Sequence, residues 1–234
     1  MEAQISHLLT GRTRDDARAA LARAFEEAAV MPGTLLPHEL LDELGEAAGR
    51  IVAEVAASDA DAVPENGCEP WSYIVEHTIG TTVAGLLIGR RLLPSDSLED
   101  LGTGLFLQNI GMLALPLSLV QKPGPLEADE RALMMKHPLL GLEFLRDDAL
   151  GPAARSVVRS HHERWDGSGY PSGLVGDEAS LFARIAAVAE AFDAMTSERY
   201  HARAVRRDVA VEIIRSGSGS DFDPAVVDAF LAVT

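Results

Sequence analysis

Apolar residues along this chain recur at three- and four-residue intervals almost everywhere, and no segment alternates convincingly with a period of two. That pattern restricts the fold to packed helices. Asp15 to Val30 carries Ala17, Leu21, Phe25 and Ala28 on one face, and Pro37 to Ala57 repeats the pattern through Leu40, Leu41, Leu44, Ala48, Ile51 and Val55. Further helices are expected over 71–93, 97–111, 127–147, 151–163, 179–197, 204–216 and 223–232. Loop signals separate them: Pro94, Pro116, Pro123-Gly124, Asp166-Gly167-Ser168-Gly169, and Gly217 to Asp221. Asp223-Pro224 offers an N-cap followed by a first-turn proline. The stretch Ser58 to Pro70 is the clearest boundary. The expectation is an all-α protein in two parts, an N-terminal helical module over 1–65 and a larger domain over 71–234.

Composition narrows the function. With 47% hydrophobic and 24% charged residues in 234, the chain has the make-up of a globular protein and not of a disordered one. Its longest apolar runs, Val83–Ile88 and Ile185–Ala189, are too short to span a bilayer. Met1–Arg12 lacks the pattern of a signal peptide, so a cytoplasmic location with no membrane association is expected. Cys68 is the single cysteine, which rules out an intrachain disulfide and any metal site built on cysteine. A formal net charge of −16 repels nucleic-acid backbones and argues against a nucleic-acid partner. A few arginines in a cleft can still reverse that field for a small anion.

The chemistry is in the histidines. His161 and His162 are adjacent at the expected end of a helix, just before a glycine-rich turn, while His77, His137 and Glu190 fall on three other helices. Imidazoles and carboxylates converging from several helices are how helical proteins bind metals without cysteine. Spacing alone does not show that these groups meet, and a lone helical histidine is more often structural than ligating.

The run His161-His162-Glu163-Arg164-Trp165-Asp166-Gly167-Ser168-Gly169-Tyr170-Pro171 resembles the signature of the HD-GYP family. Lys122-Pro123-Gly124, Lys136-His137-Pro138, Gly173-Leu174, Phe192-Asp193-Ala194-Met195-Thr196-Ser197 and Phe222-Asp223-Pro224 follow that family's pattern in order across about 71–232. The resemblance implies a helical HD-superfamily core that uses two or three metal ions, often iron or manganese, to hydrolyse cyclic di-GMP. It assigns metal ligation to His77, His137, His161, His162 and Glu190, the last in place of an aspartate. Tyr170 and Arg199 fall at nucleotide-facing positions, and Arg203 stands near a basic position the family usually fills. Arg203, Arg206 and Arg207 are expected to share one helical side.

This chain departs from the family at one segment. Where the family has Leu-His-Asp-Ile-Gly-Lys, it reads Leu107-Gln108-Asn109-Ile110-Gly111-Met112, and Tyr73 replaces a glutamate found in metal-rich members. Two divalent ions about 4 Å apart repel by roughly 16 kcal/mol at an effective dielectric of about 20. A bridging carboxylate offsets that repulsion, and the neutral amide of Asn109 does not. The expected cofactor is therefore one divalent transition metal (iron, manganese or zinc) on His137, His161 and His162, or none. The alternative for Gln108 and Asn109 is that they satisfy buried hydrogen bonds.

Three functions remain open. The chain is a catalytically impaired module binding a cyclic dinucleotide or a signalling protein, a phosphodiesterase with a mononuclear site, or a docking domain for a partner such as a diguanylate cyclase. The N-terminal helices pack on the core, mediate a homodimer through 37–57, or hold a partner.

Overall fold

The computed structural model describes residues 9–30, 37–58, 73–145, 150–197 and 203–234, without the side chains of 25, 26, 28–30 and 73. Cys68, Arg199 and all of the boundary segment after Ser58 lie outside them. Among the described residues there are helices and no β-strand, only isolated bridges, and no helix is long and apolar enough to cross a membrane. The all-α expectation holds.

Helix α3 (Tyr73–Leu92) lies at the centre and packs against α9 (Leu181–Thr196), α4 (Leu98–Leu107), α2 (His38–Ala57), α1 (Gly11–Val30) and α11 (Pro224–Leu231). Helix α8 (Pro152–Ser160) bridges α4 and α9, and α7 (His137–Phe144) lies on α8. Phe106, Phe192, Phe230, Leu101, Leu105 and Ile185 fill the interior. One contiguous apolar cluster runs from Leu9 to Val233, so α1 and α2 contribute to the same buried interior as the helices that follow. At the α1 end, Glu54 accepts hydrogen bonds from the backbone N–H and hydroxyl of Thr10 and from the hydroxyl of Thr13, and Arg18 pairs with buried Glu76.

Helix ends follow local chemistry. Ser180 and Asp223 cap α9 and α11 by accepting the N–H groups of Ala183 and Ala225 at 3.2 and 2.8 Å. Three expected helices are revised. The span 127–147 is broken into α6 (Ala128–Met134) and α7, because Pro138 lacks an N–H and fits only the first turn of a new helix. Gln108 caps α4, and after Asn109 the chain continues as a 3-10 turn over Ile110–Ala114, with a further short helix α5 at Leu117–Val120. Helix α10 begins only at Arg207 and runs to Ser216, so Arg203 and Arg206 lie ahead of it and the shared arginine face is not formed. Val205 N–H bonds to Met195 O at 2.8 Å, Arg206 pairs with Asp208, and Arg207 lies over the Phe192 ring.

The 3-10 turn packs on the start of α7 at a distance only glycine allows. A Cβ on Gly111 would lie 1.9 Å from the His137 carbonyl oxygen and 2.4 Å from Gly141 N. Gly111→Ala is expected to destabilise the protein by about 1–3 kcal/mol, as overpacking against rigid backbone does. A urea-unfolding midpoint unchanged by the substitution would mean that the two segments separate freely.

Candidate metal and ligand centre

Four helices deliver the site. His77 comes from the first turns of α3, His137 opens α7, His161 and His162 follow α8, and Glu190 projects from α9. The ligand atoms of His137, His161 and His162 lie within 4.8 Å of one another. Glu190 joins the groups together: its Oε1 is 3.7 Å from His77 Nε2 and 3.7 Å from His162 Nε2, and its Oε2 is 3.9 Å from His161 Nε2. All five residues assigned to metal ligation thus converge. Tyr170 lies against them, its ring stacked on His162 at 4.6 Å and 24°. Arg203 is exposed, with no contact to the cluster among the described residues, and Arg199 lies outside the described residues.

Second partners fix the rings. His137 donates from Nδ1 to Met134 O at 2.8 Å, and His161 donates from Nδ1 to Val157 O and Val158 O at 3.1 Å. Their Nε2 atoms are 3.0 Å apart, so two lone pairs face each other. Moving either proton to Nε2 would only turn the repulsion toward the backbone carbonyls. His77 donates from Nδ1 to Asp193 Oδ2 at 2.5 Å, which leaves its Nε2 toward Glu190. The sequence offers Asp193 only as part of the Phe192–Ser197 motif and assigns it no role, although its three-residue spacing from Glu190 puts both on one face of α9. This is the arrangement in which an outer carboxylate or carbonyl sets the tautomer of a ligating imidazole.

The donor set suits a cation. Glu190 Oε2 is buried with no hydrogen-bond partner, and the facing Nε2 atoms need positive charge between them. Gln108 and Asn109 behave differently. They are 0% and 3% exposed, and none of their four amide atoms has a hydrogen-bond partner, so the expectation that they satisfy buried hydrogen bonds within the protein is not met. Three or four imidazoles with one carboxylate fit a single divalent transition ion, while the neutral amides add nothing to bridge a second.

Glu163 organises the signature loop. Buried to 6% exposure, its carboxylate accepts the N–H of Ser172 at 2.7 Å and of Leu174 at 3.1 Å, and Tyr170 N–H reaches His162 O at 3.2 Å. Gly169 passes so close to this turn that a Cβ would meet Arg164 N at 2.3 Å. The loop's other side is tied to the α10–α11 connection by Trp165 N–H to Asp221 O and Asp166 N–H to Ser220 O, while Arg184 covers Trp165 and pairs with Asp223.

The rings titrate in opposite senses. Burial alone would depress His77, but its bonds to Asp193 and Glu190 raise it to about 9. Burial, then the charge of His161, pushes His137 down to about 4. Burial also lowers His161, and His162 falls well below its ordinary value. Burial would raise Glu190, yet His162, His161 and His77 hold it below the usual carboxylate range. At neutral pH His77 is the imidazolium, and the other three rings are neutral and able to donate lone pairs.

Stability of the metal-free protein follows. The folded form holds the His77 proton more tightly than the unfolded chain, so that contribution is full below about pH 6.5 and is lost as pH rises through about 9. For His137 the unfolded chain takes up the proton first, so stability falls as pH drops from about 6.5 through about 4. Melting temperature of the chelator-treated protein is expected to peak near neutrality, and His77→Gln to flatten the alkaline side. An alkaline decline that persists unchanged in that variant would remove His77 as its source.

Residues 66–226 match the HD domain family model. A cyclic di-GMP phosphodiesterase of Vibrio cholerae serotype O1 is 41% identical over 54% of this chain and 27% of its own length. The cyclic di-GMP phosphodiesterase response regulator RpfG of Xanthomonas campestris pv. campestris is 39% identical over 64% of this chain and 40% of its own. The chain thus spans well under half the length of these curated relatives. Among solved structures, Bd1817, an HDG"Y"P protein from Bdellovibrio bacteriovorus, superposes with a TM-score of 0.72 at 18% identity, over 93% of this chain and 69% of that one, a likeness of fold.

Proposed function

Because this chain belongs to the HD domain family, in its HD-GYP branch, we propose that it is a cyclic-dinucleotide-binding signalling module with a single-metal site and impaired hydrolysis. The observation that carries this reading is the buried Gln108-Asn109 pair, which puts neutral, unpartnered amides where the family's dyad stands. The 3-10 turn that follows the pair packs on the first turn of α7, where His137 sits, which supports reading Gln108 and Asn109 as the residues beside the cluster.

His137, His161 and His162 would hold the ion, with Glu190 and His77 beside them, and iron, manganese or zinc all accept such donors. A bound ion would supply Lewis acidity toward a phosphoryl oxygen. The chain's own residues do the rest. Glu190 supplies negative charge inside the cluster, Asp193 and Met134 O set the tautomers of His77 and His137, and the Tyr170 ring shields the outer face of His162. Slow metal-dependent hydrolysis is the second reading, favoured by the ready orientation of three neutral imidazoles.

Protein purified without chelator is expected to carry one transition metal ion per chain and to bind cyclic di-GMP with little or no product in added manganese or ferrous iron. Chelator-sensitive turnover abolished by His162→Ala would select the second reading. Two stoichiometric metals per chain would overturn the single-metal site altogether. The double substitution Gln108→His with Asn109→Asp is expected to admit a second metal and raise hydrolysis at least tenfold over the starting protein, measured by elemental analysis and product chromatography.

A further inference from the structure

Helix α10 carries three ladders of residues four apart. Ala210 and Ile214 are fully buried, where the helix packs on α9 and α11. One position earlier, Val209 and Ile213 stand clear of that packing, 44% and 48% exposed, and Asp208 and Glu212 precede them in turn. A surface helix ordinarily gives its apolar residues to the interior, and here a second apolar pair faces water. Val205, four residues before Val209, is exposed as well. Three of the six large apolar side chains exposed among the described residues thus lie between 205 and 213, a cluster and not a scatter.

Val209 and Ile213 line an open groove of about 580 Å³ between α10 and the Gly217–Asp221 turn. Its charged groups are the carboxylates of Asp208, Glu212 and Asp221, and no lysine or arginine lines it among the described residues. Arg206, Arg215 and Arg164 reach those carboxylates from outside the groove. Exposed pairs of this kind contribute little to stability, so an incoming cation replaces them at small cost. The far wall matters to the rest of the molecule. Ser220 O and Asp221 O there accept the N–H groups of Asp166 and Trp165, which tie down the signature loop.

We propose that this groove is the docking site for a cationic amphipathic helix of a partner protein. Apolar anchors one helical turn apart on the partner match the spacing of Val209 and Ile213, and basic residues beside them meet the three carboxylates. A formal net charge of −16 adds attraction at long range for such a partner. A second copy of this chain, equally acidic, lacks the surplus of cations. A small molecule would keep much of its surface in water in so open a groove. The proposal is independent of the nucleotide reading, because none of the histidines lines the groove.

The test is a fluorescence-anisotropy titration of the full chain with a labelled helical peptide that has leucine on one face and lysine on the other. The same peptide with glutamate for lysine is expected to bind at least tenfold more weakly. Ile213→Ser should weaken the lysine peptide roughly tenfold or more, as loss of a central apolar anchor does, while Leu117→Ser, at an exposed apolar residue on α5, should change nothing. Asp208→Asn with Glu212→Gln should lower the affinity and flatten its salt dependence. Asp96→Asn with Glu99→Gln removes the same charge at exposed positions elsewhere and should leave binding intact. Equal loss in the two charge variants would mean that the peptide senses only the net charge, and the groove would lose its assignment. Full affinity in Ile213→Ser would do the same. A dimer seen by sedimentation that Ile213→Ser converts to monomer would give the groove to a second copy and overturn the cationic partner.

Discussion

A buried carboxylate stays ionised only where charge or hydrogen bonds replace water, and Glu190 is the point at which this protein meets that condition. Three imidazoles from two elements face its two oxygens at 3.7–3.9 Å, and the elements bearing them must be held for those distances to persist. That requirement accounts for the placement of α3 against α9 and of α8 against both α4 and α9. The apolar interior supplies most of the stabilisation, while the histidine–glutamate cluster sets how the helices meet at one end. The polar network costs stability unless it is completed, and the suitability of the site for a cation follows from that incompleteness.

The helical periods of the chain made the fold class readable, because 3.6-residue spacing leaves few other options for so apolar a sequence. What the pattern could not show was where helices interrupt themselves. Pro138 appeared to lie within one long helix although its ring suits only a first turn, and the break it causes is what aims His137 inward. The 3-10 turn after Asn109 was equally hidden, since it depends on the contact of Gly111 with a carbonyl far along the chain.

At the site, the residues that announce themselves by type were legible: His161-His162, the His-Pro pair, and the Gly-Tyr-Pro turn. The roles of those that act by position were not. Asp193 matters because it lies one helical turn from Glu190, and Glu163 because its carboxylate closes a loop through two backbone N–H groups. The amide pair shows the opposite limit. Gln108 and Asn109 were visible as a departure, but sequence could not show that their polar atoms would be left unmatched.

The bond from His137 Nδ1 to the carbonyl of Met134 joins the last turn of α6 to the first residue of α7. It makes the position of a surface helix and the aim of a buried ring one mechanical variable. Any contact that draws α6 outward or inward must do work on the imidazole, and an ion held by that imidazole must resist the displacement. A displacement of α6 and the binding of an ion by that ring would then share one coupling free energy, equal in both directions.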